Sequence, residues 1–255
     1  MKKQLPSFEG VQRAILQLKE VCKKTPLELN KRLSDSTGAF VFLKREDLQQ
    51  IRSFKIRGAF NKIASLSKKE LEMGIVCASA GNHAQGFAFA CNHLKINGTV
   101  FMPATTPQQK TAQVKMFGGK FVQTLLIGDS YDECQKVALE TAQKEVKTFI
   151  HPFDDKEVIE GQASIAIEML AQQPVGFDYV LVPIGGGGLI SGIITVFKSL
   201  SPNTKIIGVE PEGAQSMKQS LKKRERISLD KMDHFVDGAA VRQVCLLYTS
   251  DAADE

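Results

Sequence analysis

Short apolar runs alternate with longer amphipathic runs along most of this chain. Apolar runs bounded by glycine, proline or polar residues predict strands over residues 74–79, 98–102, 120–126, 148–150, 178–184 and 205–210. Helical periodicity predicts helices over residues 55–66, 83–94, 106–118, 129–145, 156–172 and 189–200. We expect Thr106 to cap its helix, with Pro107 at the first helical position. We expect the almost wholly apolar strand over 178–184 to be buried.

The regular alternation of strands and helices predicts an α/β fold whose parallel sheets are covered by helices on both faces. The 255 residues suffice for one large or two modest domains, and 43% hydrophobic with 24% charged residues is an ordinary globular composition. The net charge of +5 is spread along the chain, so it favours neither nucleic acid nor a membrane surface as a partner.

The five cysteines follow no metal-binding or redox spacing, since no CxxC pair occurs. Cys77 and Cys91 lie in apolar runs, where buried free thiols are common, and this favours a reducing compartment. The N-terminus lacks the apolar core of a signal peptide, and no apolar run approaches the length of a membrane span. We therefore expect a cytoplasmic protein.

Four consecutive glycines, Gly185 to Gly188, separate the predicted strand over 178–184 from the next helix. Their amides and the positive end of the helix dipole can surround an anion, for which a phosphate is the natural candidate. A dinucleotide site is an alternative, because Glu210 ends the following strand at about the distance of a ribose-binding acid. The G-x-G-x-x-G fingerprint fails at Ile190, however, and a plain tight turn also remains open. The glycine run alone favours a phosphate only narrowly.

The stretch SAGNHAQG, residues 79–86, also lies between a predicted strand and a predicted helix. Its amides form a second candidate anion site, suited to a carboxylate, and the side chains of Asn82 and Gln85 can add hydrogen bonds. Helix capping is the alternative role for Ser79 and Asn82. For His83 the alternative is a packed, hydrogen-bonded helix residue.

Lys55 begins a predicted helix within the sequence RSFKIRGAF, residues 52–60. A lysine in such a basic stretch is usually solvated. Positive charge from Arg52 and Arg57, with partial desolvation beside Phe54, would instead lower the pKa of its amine. The neutral amine is the form that attacks carbonyls. A nucleophilic lysine, a phosphate site and a carboxylate site are together what a pyridoxal phosphate enzyme needs.

The motifs SFKIRGA, SAGNHAQG and GGGGL, in this order and at these separations, resemble those of the fold-type II pyridoxal phosphate enzymes, the tryptophan synthase β family. Within that family the chain is similar to the threonine deaminases of isoleucine biosynthesis. The similarity extends from about residue 29 to residue 244 and includes KREDLQ, FMPATTPQQK, GDSYDEC, PFDDKEVIEGQ, PIGGGGLISGI, GVEP and VDGAAV. The resemblance implies two three-layer α/β domains with a cofactor cleft between them, assembled as a homo-oligomer.

Carried over residue by residue, the resemblance implies that Lys55 binds pyridoxal phosphate covalently, with Phe54 beside the cofactor and Asn82 hydrogen-bonded to its ring hydroxyl. The backbone amides of one loop, here called the glycine loop, would hold the phosphate: Gly185, Gly186, Gly187, Gly188 and Leu189. Backbone groups of a second loop, here called the asparagine loop, would hold the substrate carboxylate: Ser79, Ala80, Gly81, Asn82 and His83. Lys55 would then remove the α-proton of the substrate.

The reaction implied by the resemblance is the dehydration and deamination of L-threonine to 2-oxobutanoate and ammonia. L-serine would be a second substrate, because a small pocket discriminates weakly against one missing methyl group. Racemisation is disfavoured, because Ala80 stands where similar serine racemases carry a serine that acts as a second acid/base. Two other classes stay open, namely a non-catalytic protein that binds the cofactor and a dinucleotide-dependent oxidoreductase.

The resemblance also bears on metal binding. Glu210 and Ala214 match the metal-binding pattern of the similar serine racemases, but Ser216 does not, so we predict no divalent metal. The alternative role for Glu210 is to cap a helix or to pair with a neighbour near the strand end.

The resemblance also implies a division of the chain into two domains and a tail. Residues 1–66 and 150–244 would form a large cofactor-binding domain, incomplete at its C-terminus, and residues 67–149 a small domain. Residues 245–255, CLLYTSDAADE, do not match the family and read as translated adapter DNA, so we expect a non-native tail on a truncated chain. Such a chain would be unstable or poorly active, because the core of its large domain would be incomplete.

Overall fold

The computed structural model describes residues 5–233 and 235–245. Within these ranges the α-helices are α1 (Phe8–Leu18), α2 (Lys31–Thr37), α3 (Lys55–Ala64), α4 (Lys68–Met73), α5 (Asn82–Leu94), α6 (Gln108–Gly118), α7 (Tyr131–Lys144), α8 (Lys156–Gln172), α9 (Gly188–Leu200) and α10 (Ser216–Lys223). The strands are β1 (Leu27–Leu29), β2 (Phe42–Lys44), β3 (Ile75–Ala78), β4 (Gly98–Met102), β5 (Val122–Leu126), β6 (Thr148–Phe149), β7 (Tyr179–Pro183) and β8 (Lys205–Val209). Short 3₁₀-helices span Glu46–Leu48, Gly119–Phe121 and Glu212–Ala214.

The strands form three sheets. The largest is parallel, with four strands in the order β5-β4-β3-β6. Strands β7 and β8 form a parallel pair, and β1 and β2 form an antiparallel pair. Helices connect the parallel neighbours, as parallel pairing requires, and the predicted α/β class is confirmed.

The two parallel sheets differ in how they are covered. All four residues of β3 are buried, as predicted for a sheet with helices on both faces. The prediction of a buried strand over 178–184 is wrong for one face, because buried and exposed residues alternate along β7. Tyr179 is 54% exposed and Leu181 is 65% exposed, and Ile207, the partner of Leu181 in β8, is also exposed. An apolar run cannot report this, since it does not say what lies against either face of the strand.

The beginning of α6 also departs from the prediction. Pro107 was predicted as the first helical residue but occupies the N-cap position, so the helix begins one residue later, at Gln108. The backbone angles of Pro107 are φ −55° and ψ 139°. The hydroxyl of Thr106 is buried without a hydrogen-bond partner instead of capping the helix. Strand β5 begins at Val122, later than predicted, because a 3₁₀-helix precedes it. The other predicted elements are present, with small shifts at their ends.

Helix α3 lies between two hydrophobic clusters. In one cluster, Ile56 and Ile63 of α3 pack with Cys77 of β3 and Phe87 of α5. The second cluster is built around α8, α9 and β7, and α3 also packs against α8. Lys55 therefore begins the helix at which the predicted large and small domains meet, while the division into these domains stays a prediction.

Cys245 is the one residue of the predicted tail that the structure describes. Residues 246–255 of the predicted tail lie outside the described residues. Cys245 is buried, and its backbone N–H donates to the carbonyl oxygen of Gly186 at 2.8 Å. Cys77 and Cys91 are buried thiols, as predicted. None of the described helices is long and apolar enough to cross a bilayer.

Candidate active site

The amine of Lys55 is turned towards the protein rather than towards solvent. Its Nζ donates a hydrogen bond to the carbonyl oxygen of Pro152 at 2.8 Å and lies 5.5 Å from the centroid of the Phe54 ring. The surrounding protein excludes water from the amine and lowers the pKa of Lys55 to about 8. Desolvation, one of the two predicted causes, thus lowers the pKa of Lys55. The second predicted cause, positive charge from the neighbouring arginines, does not contribute, because the buried guanidinium of Arg57 is paired with carboxylates.

The asparagine loop connects β3 to α5. Gly81 occupies the N-cap position, which leaves α5 without a capping side chain, and Asn82 is already the first helical residue. The Oγ of Ser79 accepts a hydrogen bond from the N–H of Gly81 at 3.2 Å and so stabilises the loop, not the helix. The helix-capping alternative is therefore wrong for both Ser79 and Asn82. The first amides of α5 keep their donor capacity for another group.

The side chain of His83 is packed inside the protein. Its Nε2 lies 3.0 Å from the carbonyl oxygen of Ile150, which can only accept, so Nε2 carries the proton. Its Nδ1 is buried without a hydrogen-bond partner. Desolvation and the positive charge of Lys55 lower the pKa of His83 to about 3, which keeps the ring neutral at pH 7. The side chain of His83 is therefore a packed, hydrogen-bonded helix residue, which was the alternative prediction for it. Only the backbone amide of His83 remains available to bind an anion.

The glycine loop connects β7 to α9. Gly187 occupies the N-cap position with φ +91°, a left-handed conformation that favours glycine. A Cβ on Gly186 would lie 2.2 Å from the Phe153 ring, and one on Gly188 would lie 2.8 Å from the carbonyl oxygen of Phe153. The loop therefore has no room for side chains at these positions. Because α9 has no capping side chain, its first amides offer an anion-binding site.

One short segment, residues 150–153, connects these separate parts, and we call it the bridging segment. Its Ile150 carbonyl accepts from the His83 ring, and its Pro152 carbonyl accepts from the Lys55 amine. Two backbone oxygens that are two residues apart thus hold one residue of the asparagine loop and the candidate nucleophile.

The bridging segment reaches the glycine loop through Phe153, whose ring and backbone pack against Gly186 and Gly188. A second close approach joins α5 to Lys55, since a Cβ on Gly86 would lie 3.0 Å from the Lys55 carbonyl oxygen. The structure therefore brings together Lys55 and the two predicted loops. The sequence reasoning did not select Pro152 or Phe153, and its one signal for them was their place in the motif PFDDKEVIEGQ.

A further segment, residues 235–240, lies over the glycine loop. A Cβ on Gly185 would lie 3.1 Å from the Cα of Ala239. Asp237 forms an ion pair with Lys110 of α6 and so ties this segment to the helix that follows β4. Sequence reasoning assigned no site role here, although VDGAAV was among the matching motifs.

The carboxylate of Glu210 lies at the beginning of α10. Its two oxygens accept hydrogen bonds from the backbone N–H groups of Met217 and Lys218, each at 2.8 Å. The capping alternative for Glu210 is confirmed. Because both oxygens are engaged with backbone amides, the geometry disfavours a role for this carboxylate in binding a ribose.

Comparison with known proteins identifies relatives along almost the whole chain. The sequence model of the family described as "Pyridoxal-phosphate dependent enzyme" matches residues 18–255. The chain is 52% identical over 227 residues to "L-threonine dehydratase biosynthetic IlvA" of Halalkalibacterium halodurans and 50% identical over 227 residues to the protein of the same name of Bacillus subtilis. Both matches cover 89% of this chain, but 55% and 54% of the relatives. The chain thus spans about half the length of these curated relatives.

Several solved structures share the fold, and two of them illustrate the match. The processed form of threonine deaminase isoform 2 from Solanum lycopersicum superposes with a TM-score of 0.89 at 41% identity, over 99% of this chain and 70% of that chain. Maize serine racemase superposes with a TM-score of 0.92 at 29% identity, over 98% of this chain and 75% of that chain. These superpositions confirm the predicted fold class.

Proposed function

Because this chain belongs to the pyridoxal-phosphate dependent enzyme family, we propose that it binds the cofactor covalently through Lys55 and converts L-threonine to 2-oxobutanoate and ammonia. The observation that carries the proposal is the Lys55 amine, whose pKa is lowered to about 8 where the bridging segment meets both loops. The name of the two bacterial relatives supports threonine as the substrate and the first step of isoleucine biosynthesis as the role.

The residues present fit pyridoxal phosphate. The lowered pKa of Lys55 makes its neutral amine available near neutral pH for a covalent bond to an aldehyde. The amides of residues 185–189 at the start of α9 would hold the phosphate, in a loop where a Cβ on Gly186 would collide with the Phe153 ring. Phe54 would lie beside the cofactor, since its ring is already close to the Lys55 amine. The side chain of Asn82, at the start of α5, would donate to the ring hydroxyl.

The chemistry divides between the cofactor and this chain. When bound, pyridoxal phosphate supplies a carbonyl that captures amines and a conjugated ring that accepts the electron pair left on the α-carbon. Lys55 holds and moves the proton, because a pKa of about 8 lets its Nζ both accept and return a proton near neutral pH. The Pro152 carbonyl orients this Nζ through the 2.8 Å hydrogen bond.

The asparagine loop would hold the substrate. Its backbone amides at the uncapped start of α5 suit a carboxylate, while His83 stays neutral and contributes only its backbone. Ala80 has no group that could exchange a proton, so elimination of the β-hydroxyl is favoured over racemisation. L-serine would be a weaker second substrate for the same site. A homo-oligomeric assembly stays a prediction from the resemblance, and a cytoplasmic location stays a prediction from the cysteines and the N-terminal sequence.

The test follows 2-oxobutanoate formation from L-threonine and added cofactor in the parent chain and in Lys55→Ala. We expect the substitution to lower the rate by about 10²–10⁴-fold, as for the loss of a general acid/base. Borohydride reduction followed by peptide mapping should locate the cofactor on Lys55. Turnover that survives Lys55→Ala, or a label on another lysine, would overturn the proposal. A yellow protein that forms no keto acid would instead identify a non-catalytic cofactor-binding protein.

A further inference from the structure

Two residues after Lys55, the guanidinium of Arg57 is buried between two carboxylates. Arg57 is 1% exposed, and its Nε and Nη2 donate to the two oxygens of Glu46, each at 2.8 Å. Its Nη1 and Nη2 donate to the two oxygens of Glu168, at 2.7 and 3.0 Å. Such two-pronged bonds fix both the position and the orientation of the guanidinium plane.

Lys44 completes the group, since its Nζ donates to Glu168 at 2.6 Å. We call Lys44, Glu46, Arg57 and Glu168 the charge cluster, which holds two cations and two anions and has no net charge. Its members come from β2, a 3₁₀-helix, α3 and α8, so the cluster ties four elements to one another. Truncating a member would leave its partners buried without their counter-charge, which is costly.

We propose that Arg57 is a positioning residue for Lys55, and that the charge cluster holds the first turn of α3 in the one place from which the Lys55 amine reaches Pro152. The inference rests on the proposed function of Lys55. The N-cap residue Phe54 supplies no capping hydrogen bond to α3, so the helix start has no local side-chain anchor. Arg57 supplies a long-range anchor in its place, because any shift of the first turn lengthens bonds to Glu46 or Glu168.

The first turn is also closely packed on two sides. A Cβ on Gly58 would lie 2.6 Å from the carbonyl oxygen of Val158 in α8, and one on Gly86 would lie 3.0 Å from the carbonyl oxygen of Lys55. Helices α5 and α8 therefore approach the α3 backbone itself. A displacement that starts at Arg57 is transmitted to Lys55 within the same turn instead of being absorbed by flexible side chains.

The other end of α3 offers a matched control. Lys62 forms ion pairs with Asp155 at 3.0 Å and Glu157 at 3.1 Å, so it too ties α3 to the region of α8. It lies seven positions after Lys55 in the sequence, about two helical turns away. Lys62→Met therefore removes two partly buried ion pairs from the same helix without touching its first turn.

The experiment compares the parent chain with Arg57→Lys, Arg57→Met and Lys62→Met. In cofactor-free protein, reductive methylation of Lys55 is measured by peptide mapping as a function of pH, which reports the pKa of its amine. We expect this pKa to rise by about one unit or more in Arg57→Met, because water gains access to a displaced amine. We expect no change in Lys62→Met, and a smaller rise in Arg57→Lys, which keeps the charge but loses the planar fork.

In cofactor-loaded protein, kcat for L-threonine should fall about 10–100-fold in Arg57→Met with little change in KM, as for a misplaced reacting group. Lys62→Met should lower the melting temperature without lowering kcat. If the two Arg57 variants change only the melting temperature, Arg57 is merely structural and the inference is wrong. Should Arg57→Met not fold, Arg57→Lys decides the matter alone. A parent that forms no keto acid would refute the proposed function, while the methylation result would still decide the role of Arg57.

Discussion

Two strand–loop–helix junctions meet at the bridging segment, and they are built in different ways. In the β3–α5 junction the strand is buried, and the loop carries polar side chains. In the β7–α9 junction the strand is exposed on one face, and the loop consists of glycines. A Cβ on Gly81 would meet nothing nearer than 3.9 Å, whereas one on Gly186 would lie 2.2 Å from the Phe153 ring. An uncapped helix start can thus offer an anion-binding site in a loop that has room for side chains or in a loop that has no such room.

The largest expected effect concerns the buried histidine of the first junction. The folded-state pKa of His83 is about 3 and its ordinary value is 6.5, so the fold favours the neutral ring. Its contribution to stability is complete above pH 6.5 and is lost as the pH falls towards 3, by about 3–5 kcal/mol in total. Denaturant unfolding of the parent and of His83→Gln across this range should show the difference, because glutamine can donate to Ile150 without titrating. Parallel pH profiles for the two proteins would contradict the prediction.

The next largest effect tests the space at the two loops directly. Gly186→Ala should weaken cofactor binding about a hundredfold, or about 2–3 kcal/mol, because its Cβ must displace the Phe153 ring. Gly81→Ala should change the affinity by less than about threefold, since its Cβ enters open space and its φ is −123°. Titration of each chain with cofactor, followed by absorbance, measures both. Equal losses at the two sites would remove the distinction between the junctions.

A smaller effect concerns Lys55, which both junctions approach. Its pKa is lowered from 10.5 to about 8, so the cost of keeping it charged is fully present below pH 8 and vanishes above pH 10.5. Lys55→Met should therefore raise the free energy of unfolding at pH 7 by about 1–2 kcal/mol, with allowance for partial solvent screening. The gain should decrease as the pH rises from 8 to 10.5. Chemical denaturation at several pH values tests this, and a pH-independent gain would indicate better packing alone.

The smallest effect compares the strands that feed the two junctions. Ile75→Val in β3 removes a methyl group from a residue that is 1% exposed and should cost about 1 kcal/mol. The same substitution at Ile207 in β8, which is 41% exposed, should change the free energy of unfolding by less than about 0.5 kcal/mol. A similar cost at both positions would show that the β7–β8 face is covered in solution.

Local patterns predicted the parts of the site that depend on residue type. The glycine run marks a loop in which a Cβ does not fit at Gly186 or Gly188. Strand–helix periodicity predicted helices that begin at Lys55, His83 and Leu189, each within one residue of the observed start. The resemblance to a known family then indicated that these motifs belong to one site. The roles of the individual site residues stay predictions, which the Lys55 experiments address first.

Local patterns could not predict contacts between residues that are far apart in the sequence. Arg57 was expected to act on Lys55 through its charge, but Glu168, 111 positions further along the chain, neutralises it. Pro152 and Ile150 act through carbonyl oxygens, which every residue has, so no residue type marks them. The exposure of one face of β7 depends on what packs against it, and composition carries no information on that.

The bridging segment has one further consequence. Because Ile150 and Pro152 hold their partners through main-chain oxygens, replacing either side chain leaves both acceptors in place. Inserting or deleting a single residue there would instead shift the register of both oxygens at once, and the imidazole and the amine would lose their acceptors together. The segment should therefore tolerate substitutions far better than insertions or deletions.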